Sequence, residues 1–209
     1  MARRAGPLTA GSGMAVDAGI PETPAFVYDE RRILARLGLF QRLCRASGAR
    51  LLYSIKAQPL TGLLALIRPG VSGFAASSLF EARLAAEALH PGDPGAAALH
   101  LTTPGLRAAD IAELGRLCTA ISFNSLEQCR RFLPGLNPAV AAGIRVNPGL
   151  SAADDLRYDP CRPASKLGVP LDELRAALAA EPALAARIDG LHFHTHFDGR
   201  EPGSLRDTL

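Results

Sequence analysis

The sequence predicts an α/β protein, an incomplete (β/α)8 barrel, and three observations carry that expectation. Six short apolar runs alternate with helical patterns along the chain, which means a parallel sheet with helices packed outside it. The length is 209 residues, short of the eight strands and about 250 residues of a full barrel. The last pattern, Ser204 to Leu209, opens a helix and stops without a cap, which reads as a barrel cut short at its C-terminal side. A doubly wound open sheet is the alternative. No Gly-x-Gly-x-x-Gly follows the first strand, which counts against its dinucleotide-binding version.

Each element has a local reason. Residues 1–21 are rich in Ala, Gly and Arg and read as a flexible extension, with Met14 a second candidate start. Gly6, Pro7, Gly11, Ser12, Gly13 and Asp17 interrupt any apolar stretch there, so no signal peptide is expected. The barrel segment then covers 22–209. Pro24–Tyr28 reads as a short entry strand. Asp29 caps a helix from Glu30 to about Ala46, ended by Gly48. Leu51–Ile55 is a strand of consecutive apolar or β-compatible residues, suited to burial on both faces. Leu60–Ile67 is a helix closed by Pro69 and Gly70, and Gly73–Ala76 is a strand. Ser78-x-x-Glu81 is a capping box that opens a helix through Leu89. Ala96–Leu101 is the next strand, and Thr103-Pro104 starts a helix through Leu117. Thr119–Phe123 is a strand, followed by a second capping box, Ser125-x-x-Gln128, and a helix to about Phe132. Ala142–Asn147 is a strand, Pro148–Gly168 a polar loop, Leu171–Ala180 a helix, and Ile188 to His194 or His196 the last strand.

Composition excludes several classes. Hydrophobic residues make up 48% and charged residues 21%, the balance of a soluble globular core. The net charge of +3 is spread along the chain, no run of five basic residues occurs, and aromatics are sparse, so nucleic acid is not an expected partner. No apolar run approaches the roughly 20 residues needed to span a bilayer. Cys44, Cys118, Cys129 and Cys161 lack Cys-x-x-Cys spacing, so free thiols in a reducing cytoplasm are expected.

Reactive groups of an α/β barrel sit at the C-terminal ends of its strands. Here those ends carry Lys56, Ser77 and Ser78, Thr102 and Thr103, Asn124, Arg145 and Asn147, and His194 and His196. No carboxylate pair is among them, which argues against glycosidase-type acid/base chemistry. Of the 23 basic residues, Lys56 and Lys166 alone are lysines. Arginine stays protonated, whereas a desolvated lysine can lose its proton and attack a carbonyl. Lys56 is therefore either a nucleophile or an ordinary strand-end charge. His192, His194 and His196 alternate with Phe193, Thr195 and Phe197, which places the imidazoles on one face of a strand. Three uses fit: polar filling of a barrel interior, a metal site of the amidohydrolase kind, or a flat ring stacked on a planar cofactor. The metal use lacks an acidic ligand at the earlier strand ends. Residues 158–168 form a polar loop on the reactive side, either substrate-binding or simply solvated.

Seven stretches, in order, resemble one family. They are SIKA (54–57), ASSLFEARLAA (76–86), HLTTPGLR (100–107), ISFNSLEQ (121–128), RVNPGLS (145–151), YDPCRPASKLGVPL (158–171) and GLHFHT (190–195). Together they resemble the pyridoxal-phosphate decarboxylases of fold type III, the alanine racemase-like fold, and within it the carboxynorspermidine (carboxyspermidine) decarboxylase branch. The resemblance covers roughly residues 22–209. It implies that Lys56 carries pyridoxal phosphate as a Schiff base, that His194 stacks on the pyridine ring, and that Arg145 lies near the cofactor inside the barrel. Glu81, Ser165 and Lys166 fall in family motifs and are candidate substrate-binding residues. No metal is implied. The implied reaction is decarboxylation of carboxynorspermidine or carboxyspermidine to norspermidine or spermidine plus carbon dioxide, in polyamine biosynthesis, by a cytoplasmic homodimer when full length.

Departures from the family pattern set further expectations. Ala75 stands where related amino-acid decarboxylases carry Asp, and His196 and Phe197 replace a glycine-serine turn that helps bind phosphate. The family's phosphate loop, the acidic partner of the pyridinium nitrogen, a cysteine shared between subunits and the C-terminal β domain all fall beyond Leu209. This chain alone is therefore expected to have low or no activity. Two other readings stay open: a non-catalytic single-barrel carrier of pyridoxal phosphate, and a metal-dependent hydrolase using the histidine strand.

Overall fold

The computed structural model describes residues 24, 26–89, 97–150, 153, 155 and 157–195. Strands β1 (Leu52–Ser54), β2 (Gly73–Ala76), β3 (Ala98–Thr102), β4 (Ala120–Phe123) and β5 (Ala141–Asn147) pair in that order, all parallel. A two-residue β6 (Val169–Pro170) pairs the last residues of β5, and β7 (Gly190–His192) pairs β5 beside Gly143–Arg145. Helices α1 (Glu30–Ser47), α2 (Thr61–Ile67), α3 (Leu79–Ala88), α4 (Ile111–Leu117), α5 (Leu126–Phe132), α6 (Leu171–Ala180) and α7 (Pro182–Ala185) connect them. Apart from the two-residue β6, the described strands are the six that the alternation predicts. None of the described helices is long and apolar enough to cross a membrane.

The two faces of the sheet differ, because side chains alternate along a strand and paired residues share a face. Phe74, Leu99, Leu101, Ile121, Phe123, Ile144 and Val146 lie on the helix-covered face and are buried. Leu64 and Ile67 of α2, Ala82 and Ala85 of α3, Leu114 of α4, Cys129 of α5 and Leu174 of α6 complete this core. The opposite face carries Ser54, Ala75, His100, Ser122, Arg145 and His192, small or polar in every case. All ladders being parallel, the strands' C-terminal ends share one edge, where this polar face opens.

Most local signals act as expected. Asp29 accepts from the Arg32 N–H at 3.2 Å, and Gly48 terminates α1 with φ 72°. Both capping boxes form in a shifted variant: Ser78 and Ser125 each accept from the residue three further on at 3.2 Å. The return bond, however, is donated to the Glu81 and Gln128 side chains by the N–H of the residue before the cap, Ser77 and Asn124.

Three expectations are corrected. Residues 26–28 form no strand; among the described residues no segment pairs with them, and Phe26 is 94% exposed. The helix expected from Thr103-Pro104 starts later, through a 3-10 turn at Ala108–Asp110, because the Thr103 hydroxyl instead accepts the Gly105 N–H and closes a local turn. The first strand stops at Ser54, and Ile55–Ala57 is a 3-10 turn that carries Lys56. Strand β6 and helix α7 are additions that sequence periodicity did not show. The extension 1–21, residue His196 and the helix expected at Ser204–Leu209 lie outside the described residues.

Candidate active site

Parallel pairing sets Arg145 on β5 directly beside His192 on β7. Both side chains therefore leave the sheet on its polar face. Lys56 follows β1 on the same edge, and it is exposed. Its positive charge acts on both His192 and His194, as does that of Arg145, so the four groups share one field. Arg145 is buried to 9% exposure, and burial pulls its guanidinium below the usual range. Neither Lys56 nor Arg145 forms an ion pair among the described residues. A buried arginine without a protein counterion is a ready partner for an anionic ligand.

Of the two described histidines of this stretch, His192 lies on β7 and His194 follows the strand's end. Burial first, then Arg145, His194 and Lys56, push His192 down to about 4. Its Nδ1 is buried and without a hydrogen-bond partner. His194, past the strand end, is exposed; partial burial and then Arg145 and Lys56 hold it below its ordinary value. Both imidazoles are thus biased toward their neutral form.

The His192 shift makes a prediction about pH. An unfolded chain takes up this proton near pH 6.5 and the native chain near pH 4, so stability falls as pH drops through that window. By pH 5 the loss is at most about 2 kcal/mol, and less once solvent screening of the partly exposed ring is counted. In urea unfolding, His192→Asn should lose correspondingly less stability than wild type between pH 7 and pH 5. Equal losses would refute the neutral, buried His192.

The 157–168 loop packs onto this edge. Asp159, Pro160 and Cys161 are buried, while Arg157, Tyr158 and Arg162 to Ala164 are exposed, so the loop is more than a solvated surface segment. Asp159 accepts from the Cys161 N–H at 2.7 Å. The Cys161 thiol donates to the His194 carbonyl at 3.6 Å and lies within the field of Arg145. Burial first, and then Asp159, hold that thiol above its usual range, so it is a protonated donor here.

The other sequence candidates are engaged elsewhere. The Glu81 carboxylate accepts from the Ser77 N–H at 2.7 Å and the Ser77 hydroxyl at 2.9 Å, at the start of α3. Ser165 Oγ donates to the Pro160 carbonyl at 2.7 Å and accepts from the Leu167 N–H, within the loop. Lys166 is exposed and offers its carbonyl to Asn124. Ala75 faces the same side as Ser54 and His100. Asp159 and Cys161 were not singled out by spacing. The Asp-Pro-Cys step, whose carboxylate turns back on its own backbone, was the available signal. Among the described residues no cluster of three metal-ligating side chains forms.

Comparison with known proteins gives a consistent picture. No family model matches the chain. It is 36% identical over 148 residues to the carboxyaminopropylagmatine decarboxylase of a Synechocystis species, covering 70% of this chain and 37% of that protein. A carboxynorspermidine/carboxyspermidine decarboxylase of Campylobacter jejuni is 29% identical over 177 residues, covering 83% of this chain and 42% of the relative. The crystal structure of C. jejuni carboxynorspermidine decarboxylase with norspermidine superposes with a TM-score of 0.72 at 25% identity, over 90% of this chain and 45% of that one. Diaminopimelate decarboxylase of Helicobacter pylori has the same TM-score at 20% identity, over 89% of this chain and 48% of that one, a likeness of fold alone. The chain spans less than half the length of the curated relatives it matches.

Proposed function

We propose that this chain, related to the carboxynorspermidine/carboxyspermidine decarboxylases over part of their length, carries the pyridoxal-phosphate-binding face of such an enzyme. The observation that supports the reading is the gathering at the strand ends of a lysine, an arginine that forms no ion pair among the described residues, and two histidines biased toward the neutral form. That donor set fits an anionic, aromatic aldehyde. When bound, pyridoxal phosphate supplies a carbonyl for amines and a ring that accepts electrons from a breaking bond.

The chain's own groups take distinct roles. Lys56 presents the amine that attaches the cofactor, on a short turn open to solvent. Arg145 fixes positive charge inside the sheet for an anionic group. His194 offers a flat, neutral ring at the end of β7, suited to stacking. His192, neutral above about pH 4, fills the interior beside Arg145 without adding charge. The loop at Asp159–Cys161 covers the β5–β7 seam and limits water there.

The substrate class is an amino acid on a polyamine chain, carboxynorspermidine or carboxyspermidine. A second reading, carboxyaminopropylagmatine, is favoured by the 36% identity to the Synechocystis relative. The test supplies the purified protein with pyridoxal phosphate and measures carbon dioxide release and change in the cofactor absorbance. Carboxynorspermidine, carboxyspermidine and carboxyaminopropylagmatine are compared with diaminopimelate and arginine. A change in cofactor absorbance with one of the three carboxylated polyamines, in preference to the other two compounds, is expected, with little or no carbon dioxide released by this chain alone. A response to diaminopimelate or arginine alone would overturn the assignment.

A further inference from the structure

We propose that Asn124 is a positioning residue that seats the 157–168 loop on the cofactor face; the inference rests on the reading that this face receives pyridoxal phosphate. Asn124 directly follows β4 and is buried. Both halves of its amide are used. Nδ2 donates to the Lys166 carbonyl at 2.8 Å, and Oδ1 accepts from the Gly168 N–H at 3.2 Å. The tie crosses from one β/α unit to the far end of the loop that follows β5. At its other side the loop reaches the segment just after β7, through Cys161 and the His194 carbonyl. Asn124 therefore fixes one flank of a segment whose opposite flank touches the proposed stacking residue.

An internal comparison separates this role from simple helix starting. Residues 77–81 and 124–128 build the same corner. In each, the first N–H donates to the side chain of the fifth residue, at 2.7 Å to Glu81 and 2.9 Å to Gln128. In each, a serine caps the helix at 3.2 Å. Ser77 needs only a hydroxyl, which turns back to Glu81. The corner thus folds without an amide, and the Asn124 amide is surplus to it. The loop is what that amide serves.

Asn124→Ser keeps the corner as Ser77 builds it and removes the tie. Ser165→Ala loosens the same loop from its less buried side, by deleting the bond to the Pro160 carbonyl. The chain is digested briefly with trypsin, and cleavage after Arg157 and Lys166 is followed by mass spectrometry. In parallel, pyridoxal phosphate is titrated, and the circular dichroism induced in its absorbance band is recorded. Both variants should be cut faster than wild type at these sites. Asn124→Ser should bind the cofactor about tenfold more weakly, with a reduced induced signal. Faster cutting with wild-type affinity and induced signal would reduce Asn124 to a structural tie and overturn the proposal, as would wild-type cutting. A wild-type chain that takes up no cofactor would overturn the functional reading instead, and the cleavage rates would then decide whether Asn124 seats the loop.

Discussion

Lys56→Arg should abolish retention of pyridoxal phosphate through dialysis, while wild type keeps it. Arginine preserves the positive charge beside Arg145, His192 and His194, so the local field changes little. What it removes is the amine able to attack a carbonyl, since a guanidinium is not deprotonated in proteins. The chain's other lysine, Lys166, is exposed on the loop and gives only its backbone carbonyl to the corner at Asn124. Loss of retention should thus be all-or-none rather than graded. Lys56→Ala should do the same and, by removing a cation, should also let His192 and His194 titrate closer to their ordinary range. Imidazole proton shifts followed by NMR would report that second effect. Retention equal to wild type in both variants would remove Lys56 from the site.

Gly73→Ala should prevent stable folding. Gly73 starts β2 with φ 150°, a backbone state that side chains rarely adopt. A Cβ there would meet the backbone of Ala98, its ladder partner on β3, within 2.6 Å of the nitrogen and closer still to the carbonyl oxygen. The obstacle is backbone in the middle of the sheet, so no side-chain rotation relieves it. A cost above about 4 kcal/mol is expected, a large share of the 5–15 kcal/mol that holds a typical domain together. Gly62→Ala is the control: it lies exposed in α2, and a Cβ there meets nothing. That change should leave stability unchanged or raise it by up to about 1 kcal/mol. Soluble expression and urea unfolding distinguish the two. A Gly73→Ala chain as stable as wild type would show that β2 and β3 do not approach as described.

These two glycines also mark the limit of what sequence shows. The strand over 73–76 was legible from its apolar residues, and so was the alternation that makes the sheet parallel. The near approach of Gly73 to Ala98 was not, because it depends on two chain segments meeting. Lys56 and His194 could be placed at strand ends by pattern, since a strand's end is a local property. Their shared field with Arg145 follows from the pairing of β5 with β7, which skips β6, and pattern carries no trace of that. The strand expected over 24–28 failed for a related reason: apolar, β-compatible residues form a ladder only where a neighbour is present to pair with them. Asn124 was visible as a strand-end amide, but its partners lie 42 and 44 residues further along the chain. Glu81 was legible as a cap, and the structure uses it as one.

The central claim, that Lys56 is the residue through which this polar face holds its cofactor, has one direct test. The purified chain is mixed with pyridoxal phosphate, reduced with borohydride, digested and mapped by mass spectrometry across both lysines and the amino terminus. The account predicts the phosphopyridoxyl mass on the peptide containing Lys56, with Lys166 and the amino terminus unlabelled at low cofactor excess. Label on Lys166 or the amino terminus in equal or greater amount would contradict it.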